Sequence, residues 1–306
     1  LALDTLKLKE LPMKFTIPLI LAMLVSGGLS ADMLDPQDPR DALTIQRKVL
    51  CSTIDGEPTT FWWAGDAYSR RQGERDKLLF RVEGMNIRAC VTDNHPERGL
   101  GYRMVSRELL IYRDVETGEA ITTWKNPWSG EVVDVLHVAN DPVNHSGYER
   151  NRDGSPFAWS GVITEGQWHM NITVPLFYPN PLASAYQKQI GGTYHATEMF
   201  NFLGKVDDLL DPDTTTAARQ VGWARVSDWL PWMNMQGREG IIYMHTAGLR
   251  LSSWDALPER MKEEIETYYP DYKRPPPLDD DRVNVTSWMY YQRVTEGTEV
   301  APDRGE

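Results

Sequence analysis

The residues best suited to chemistry lie in Tyr194-His195-Ala196-Thr197-Glu198-Met199-Phe200-Asn201-Phe202. A carboxylate among aromatic neighbours is costly to bury unless it is paired. Burial also raises its pKa toward the range useful for proton transfer. The stretch has the composition of a β-strand, whose side chains alternate between faces. Tyr194, Ala196, Glu198, Phe200 and Phe202 then share one face, and His195, Thr197, Met199 and Asn201 the other. A His195–Glu198 pair needs a bulge. Arg225, in Trp223-Ala224-Arg225-Val226, interrupts a second aromatic strand and is the better-placed partner. Two readings stand. Glu198 and Arg225 form a structural ion pair, or Glu198 carries a proton with Arg225, His195 or His245 as its electrostatic partner.

His137, His169, His195 and His245 each fall in an expected strand and could converge on a metal. No His-x-His or His-Glu-x-x-His spacing accompanies them, and His169 shares its face with Asn171 and Thr173, so the expectation is no metal and no cofactor. The aromatics of the expected strands either fill a core or line a cavity. Trp63, Tyr68, His137, Tyr194, Phe200, Trp223, Tyr243 and Trp288 are the expected lining, suited to a small hydrophobic or aromatic molecule. Trp229, Trp232, Met233 and Met235 would form a lid or an exposed contact patch. The chain has no Gly-x-Ser-x-Gly elbow, phosphate-cradling loop or dinucleotide fingerprint.

The elements that must position these residues read mostly as strands. They run over Ile45–Thr53, Thr59–Arg70, Leu78–Val91, Tyr102–Asp114, Ala120–Lys125 and Glu131–Asn140, then Trp159–Glu165 and Gln167–Leu176. The opening stretch, Gly222–Asp228, Gly240–Leu251 and a final Asn284–Val294 follow. Short Gly-containing connections predict hairpins. Residues 141–157 read as a long loop, and Leu182–Gln189 as a short helix. A clear helix follows Pro258, with Met261, Ile265 and Tyr268 at helical spacing. The fold class is mainly β: an antiparallel up-and-down meander closing toward a calycin- or lipocalin-like barrel, with one C-terminal-region helix packed outside.

The chain has 306 residues and a formal net charge of −12. That balance excludes a nucleic-acid binder built on dense Lys and Arg. Met13-Lys14, an apolar run from Phe15 to Val25 and Ser26-Gly27-Gly28-Leu29-Ser30-Ala31 follow the plan of a secretory signal peptide over 13–31. Residues 1–12 then read as an upstream, non-native segment, 32–42 as a linker, 43–295 as a single domain and 296–306 as a disordered tail. Signal cleavage implies a periplasmic or secreted protein with no stable membrane anchor. Such a compartment permits a Cys51–Cys90 bridge, the alternative being two buried thiols.

Several segments resemble the bacterial domain of unknown function 1838 family. They are Trp62-Trp63-Ala64-Gly65, Tyr112-Arg113-Asp114 before Thr117-Gly118-Glu119, Trp124-Lys125-Asn126-Pro127 before Ser129-Gly130-Glu131, and Asn140-Asp141-Pro142-Val143-Asn144. Trp254-Asp255-Ala256-Leu257-Pro258, Tyr269-Pro270 and Ser287-Trp288 extend the match. The resemblance covers about 40–295 and implies an often exported protein. It transfers no activity and no catalytic residue. The functional expectation is a cofactor-independent acid–base enzyme (isomerase, lyase or hydrolase) or a lipocalin-like carrier using the same cavity.

Overall fold

Strand β1 (Thr59–Arg70) sits at the middle of a ten-stranded antiparallel sheet because it pairs on both sides. The computed structural model describes residues 32–179, 193–235 and 237–304. The expected signal peptide, the residues before it and the expected Leu182–Gln189 helix lie outside the described residues. On one side β1 runs into β2 (Lys77–His95) and β3 (Gly99–Arg113), whose far edge takes β6 (Val138–Asn140) and β7 (His145–Tyr148). On the other side it pairs with β12 (Ile241–Leu251), then β11 (Gln220–Ser227), β10 (Thr193–Lys205), β9 (Gln167–Pro179) and β8 (Val162–Thr164). Strands β4 (Thr123–Lys125) and β5 (Val132–Asp134) form a separate hairpin.

The two meanders are thus joined by their first and last long strands, the order an up-and-down barrel would have. The barrel does not close among the described residues. β6 and β7 end one edge and β8 the other, with no ladder between them. These edge strands are only three or four residues long, and the chain between them, 149–161, carries no strand. The sheet is nevertheless strongly curled: Phe61 of β1 meets Phe202 of β10 at 5.9 Å between ring centroids, although β12 and β11 lie between them.

Alternation sorts the side chains. Phe61, Trp63, Phe80, Val82, Tyr112, Tyr194, Phe202 and Trp223 fill the concave core. On the back of β2 and β3, Met85, Ile87, Leu109 and Ile111 pack under Met261 and Ile265 of a helix over Glu259–Tyr268. That helix is the one expected outside the sheet. Its Arg260 reaches the buried Glu83 at 3.0 Å, which also meets Arg113 at 2.7 Å. The described end of the chain returns to the same helix, where Arg304 bonds Glu264 and covers the Tyr268 ring at 4.4 Å. It does not hang free as a tail.

Two expected strands are helices. Ile45–Thr53 falls largely in α1 (Pro39–Leu50), capped by Asp38, whose side chain accepts from the backbone of Arg40 and Asp41. Ala42, Ile45 and Val49 recur at helical spacing on its buried face. Asn284–Val294 falls largely in another helix, Ser287–Thr295, capped by Thr286 on Met289 N–H. Its Val, Trp and Tyr content suggests a strand, but Trp288 and Tyr291 bury at i, i+3. With α2 (Val206–Leu210) between them, these become α1, α3 (Glu259–Tyr268) and α4 (Ser287–Thr295). The expected lid residues Trp229, Trp232, Met233 and Met235 are buried, with Trp232 against Phe80, Tyr112 and Trp124. They close one end of the core and offer no exposed patch. Cys51, just past α1, is disulfide-bonded to Cys90 of β2.

Candidate functional site

Glu198 of β10 stands directly opposite Arg225 of β11 in the ladder. The Arg225 Nη1 lies 3.1 Å from Glu198 Oε1. The same nitrogen donates to Ser287 Oγ of α4 at 3.1 Å, and Nη2 donates to the Tyr194 hydroxyl at 3.4 Å. Tyr194 in turn stacks on Trp288 at 5.0 Å with 13° between the rings. The guanidinium is therefore held from the neighbouring strand β10 and from a helix. Burial works against its charge, but Tyr194, Glu198 and Tyr112 around it more than compensate and raise its pKa.

A second carboxyl faces the same interior. Glu108 of β3 is buried, with Asn86 opposite on β2 and Asn140 opposite on β6. Asn140 Nδ2 lies 3.5 Å from Glu108 Oε1. Two residues along β2 from Asn86, Arg88 donates to Asn86 Oδ1, and its guanidinium lies 4.7 Å from the centroid of Phe61. Burial first, and then the charge of Glu198, push the Glu108 carboxyl up to about 8, against the pull of Arg88 and Arg225. Burial also raises Glu198, opposed by Arg225. Arg88 is lowered to about 10 by burial, with Glu108 working the other way. Two carboxyls and two guanidiniums thus share one low-dielectric interior, where burial raises both carboxyls and the charge of Glu198 adds to the rise of Glu108.

The sign of the resulting pH dependence follows from Glu108. Its folded value of about 8 lies above its ordinary 4.5, so the folded state binds the proton more tightly. Stability from this group is complete below 4.5 and is lost as pH rises through about 8. Urea midpoints measured across that window should fall with pH in the wild type. Glu108→Gln should flatten the fall; an unchanged slope in the variant would assign it to other groups.

The structure brings together five of the expected lining residues. Trp63 and Trp223 lie 6.4 Å apart in the concave core, and Tyr194, Phe200 and Trp288 stand on the Glu198 side of it. Tyr68 and Tyr243 do not belong there. They stack on each other at 5.3 Å on the outer face, and their hydroxyls meet Asp66 and Asp76. His195 and His245 also point outward and are exposed, because alternation puts them opposite Glu198 and Arg225. His195 touches Phe177, not Glu198. His137 is a core residue: its Nδ1 accepts the Tyr112 backbone N–H at 3.1 Å. Burial holds its pKa well below the ordinary value, so it stays neutral, and Arg304 and Arg113 add to this. Among the described residues no group of His, Cys, Asp and Glu side chains is arranged to hold a metal ion.

Sequence reasoning missed Glu108 and Arg88. The signal was available by the same alternation. Tyr102, Met104, Glu108, Leu110 and Tyr112 share one face of β3, so Glu108 interrupts an apolar face as Glu198 does.

A family model described as Protein of unknown function (DUF1838) matches residues 56–295. No curated protein matches the chain.

Proposed function

The chain belongs to the family described as Protein of unknown function (DUF1838), and from that membership, which assigns no activity, we propose an exported, cofactor-independent acid–base enzyme. Its substrate is a small hydrophobic or aromatic molecule taken against the concave face of the sheet. The observation that carries this reading is two interior carboxyls in one site, both raised by burial, with Arg225 held against Glu198 and the charge of Glu198 adding to the rise of Glu108. Glu108 is the protonated member and donates. Glu198, held by Arg225 at 3.1 Å, is assigned the accepting role. Isomerisation, elimination and hydrolysis all require such a pair of proton movements.

Access supports the reading. The Glu198 side chain is 13 % exposed, whereas its partner Arg225 is 5 %. Ile172, Val174, Leu176 and Tyr178 of β9 and Phe200 of β10 are half-buried on the same face, an apolar and aromatic flank beside the carboxylate. Export is supported by the signal-like segment 13–31 and by the Cys51–Cys90 bridge, which an oxidising compartment maintains. A second reading, a carrier that binds without turnover, draws on the Glu198–Arg225 contact itself, since an ion pair can be purely structural.

Native mass spectrometry of protein from a bacterial periplasm should find a co-purified small molecule. Its turnover should fall by about 10²–10⁴-fold in Glu198→Gln, while quenching of Trp fluorescence on binding persists. Equal turnover in the variant would eliminate the enzyme. A bound molecule that the wild type leaves unchanged would establish the carrier.

A further inference from the structure

A second cleft lies apart from the carboxyl pair, where β7 edges the start of β3. It has a volume of about 570 Å³, within the usual range of small-molecule sites. Arg98, Arg103 and Arg152 line it, and no Asp or Glu does. That is unexpected in a chain with 44 acidic and 32 basic residues. The acids nearest by sequence are already engaged: Asp93 accepts the Tyr148 hydroxyl at 2.6 Å, and Glu149 meets Arg40 at 3.0 Å. Neither Arg98 nor Arg152 forms an ion pair among the described residues, whereas the charge of Arg103 already bears on Asp93. Arg98 is fixed by its Nε on the Arg150 carbonyl at 2.9 Å and by its place 4.5 Å over the Tyr148 ring.

Two donors on the lining are buried and make no hydrogen bond within the protein. They are the hydroxyl of Tyr102, a residue 1 % exposed, and Nε of Arg103. Buried donors of this kind are uncommon and ask for an acceptor. Burial raises the Tyr102 phenol well above its ordinary value, so it remains a donor. The two residues point to opposite faces of β3, so one small ligand meets only one of them, and it is Tyr102 that faces Gly147. Gly147, opposite Tyr102 on β7, has no side chain between them, and a Cβ there would come within 3.0–3.2 Å of the Tyr102 ring and hydroxyl.

We propose that this cleft is a second binding site, for a small molecule bearing an oxyanion, carboxylate or phosphate. Arg98 and Arg152 supply the charge, and the Tyr102 hydroxyl supplies a directed donor. Such charge-assisted contacts are the strong ones and suit planar recognition by guanidinium.

Calorimetric titration with inorganic phosphate and, separately, with citrate tests this and distinguishes the two oxyanions. Saturable binding of at least one is expected, weakening with added salt. Arg152→Gln, an exposed change that leaves the fold intact, should weaken it by about tenfold, as should Arg98→Gln. Gly147→Ala should weaken it as well, by crowding Tyr102. Absence of saturable binding of both probes in the millimolar range overturns the proposal. So does binding that neither arginine substitution changes. Turnover by the Glu108–Glu198 site is read in separate variants, so failure of one proposal leaves the other standing.

Discussion

Replacement of Arg225 by Gln should destabilise the protein by about 3–5 kcal/mol at neutral pH, the range for removing one partner of a buried ion pair. The reason is local. Glu198 loses the cation opposite it, Ser287 and Tyr194 lose their shared donor, and Glu108 loses part of the charge that opposes its rise. Two interior carboxyls would then face each other with Arg88 as the remaining counter-charge. Urea unfolding of the variant should show the loss shrinking as pH falls, because protonation removes the uncompensated charge. Glu198→Gln introduced into the Arg225→Gln background should recover much of it at neutral pH. A loss below about 1 kcal/mol at neutral pH would place the pair among the weak, solvent-screened bridges and not in the interior.

Removal of the disulfide should be nearly as severe. Cys51 and Cys90 are 39 residues apart in sequence. On the loop-entropy account, opening a loop of that length costs about 4 kcal/mol. The bridge also fastens the end of α1 to the inner face of β2, two residues from Arg88. Ser52, next to Cys51, bonds Glu57 in the turn that leads into β1. The Cys51→Ser/Cys90→Ser double variant should therefore unfold at clearly lower denaturant than the oxidised wild type, and the reduced wild type should match it. Equal midpoints for oxidised and reduced protein would show that the bridge contributes no stability.

The sequence was most readable where alternation carried the information. Glu198 and Arg225 each break an apolar strand face, and one ladder register puts them opposite each other. The same rule placed His195 out of reach. Residue type alone is a poorer guide: Tyr68 and Tyr243 resemble the interior aromatics in composition but stand on outward positions. Glu108 is hidden in the sequence because Ser106-Arg107-Glu108 reads locally as a polar patch. Its interior role emerges only when β3 is curled toward β10, a relation across four intervening strands. The two strands that proved to be helices, α1 and α4, carry β-branched and aromatic residues whose preference tertiary packing overrode. Their caps, Asp38 and Thr286, were the local signals of the helical state. Barrel closure depends on pairing between edges distant in sequence, and no pattern within one strand encodes it.

Glu108 and Glu198 share one interior, where burial raises both carboxyls and the charge of Glu198 adds to the rise of Glu108. Carboxyl-detected carbon NMR of protein labelled at glutamate, titrated across neutral pH, reads this directly. The Glu108 carboxyl should titrate near 8, and it should move toward the ordinary value of 4.5 in Glu198→Gln, where the neighbouring charge is gone. A Glu108 carboxyl already ionised at neutral pH and unmoved by that substitution would contradict the pair and the proton chemistry built on it.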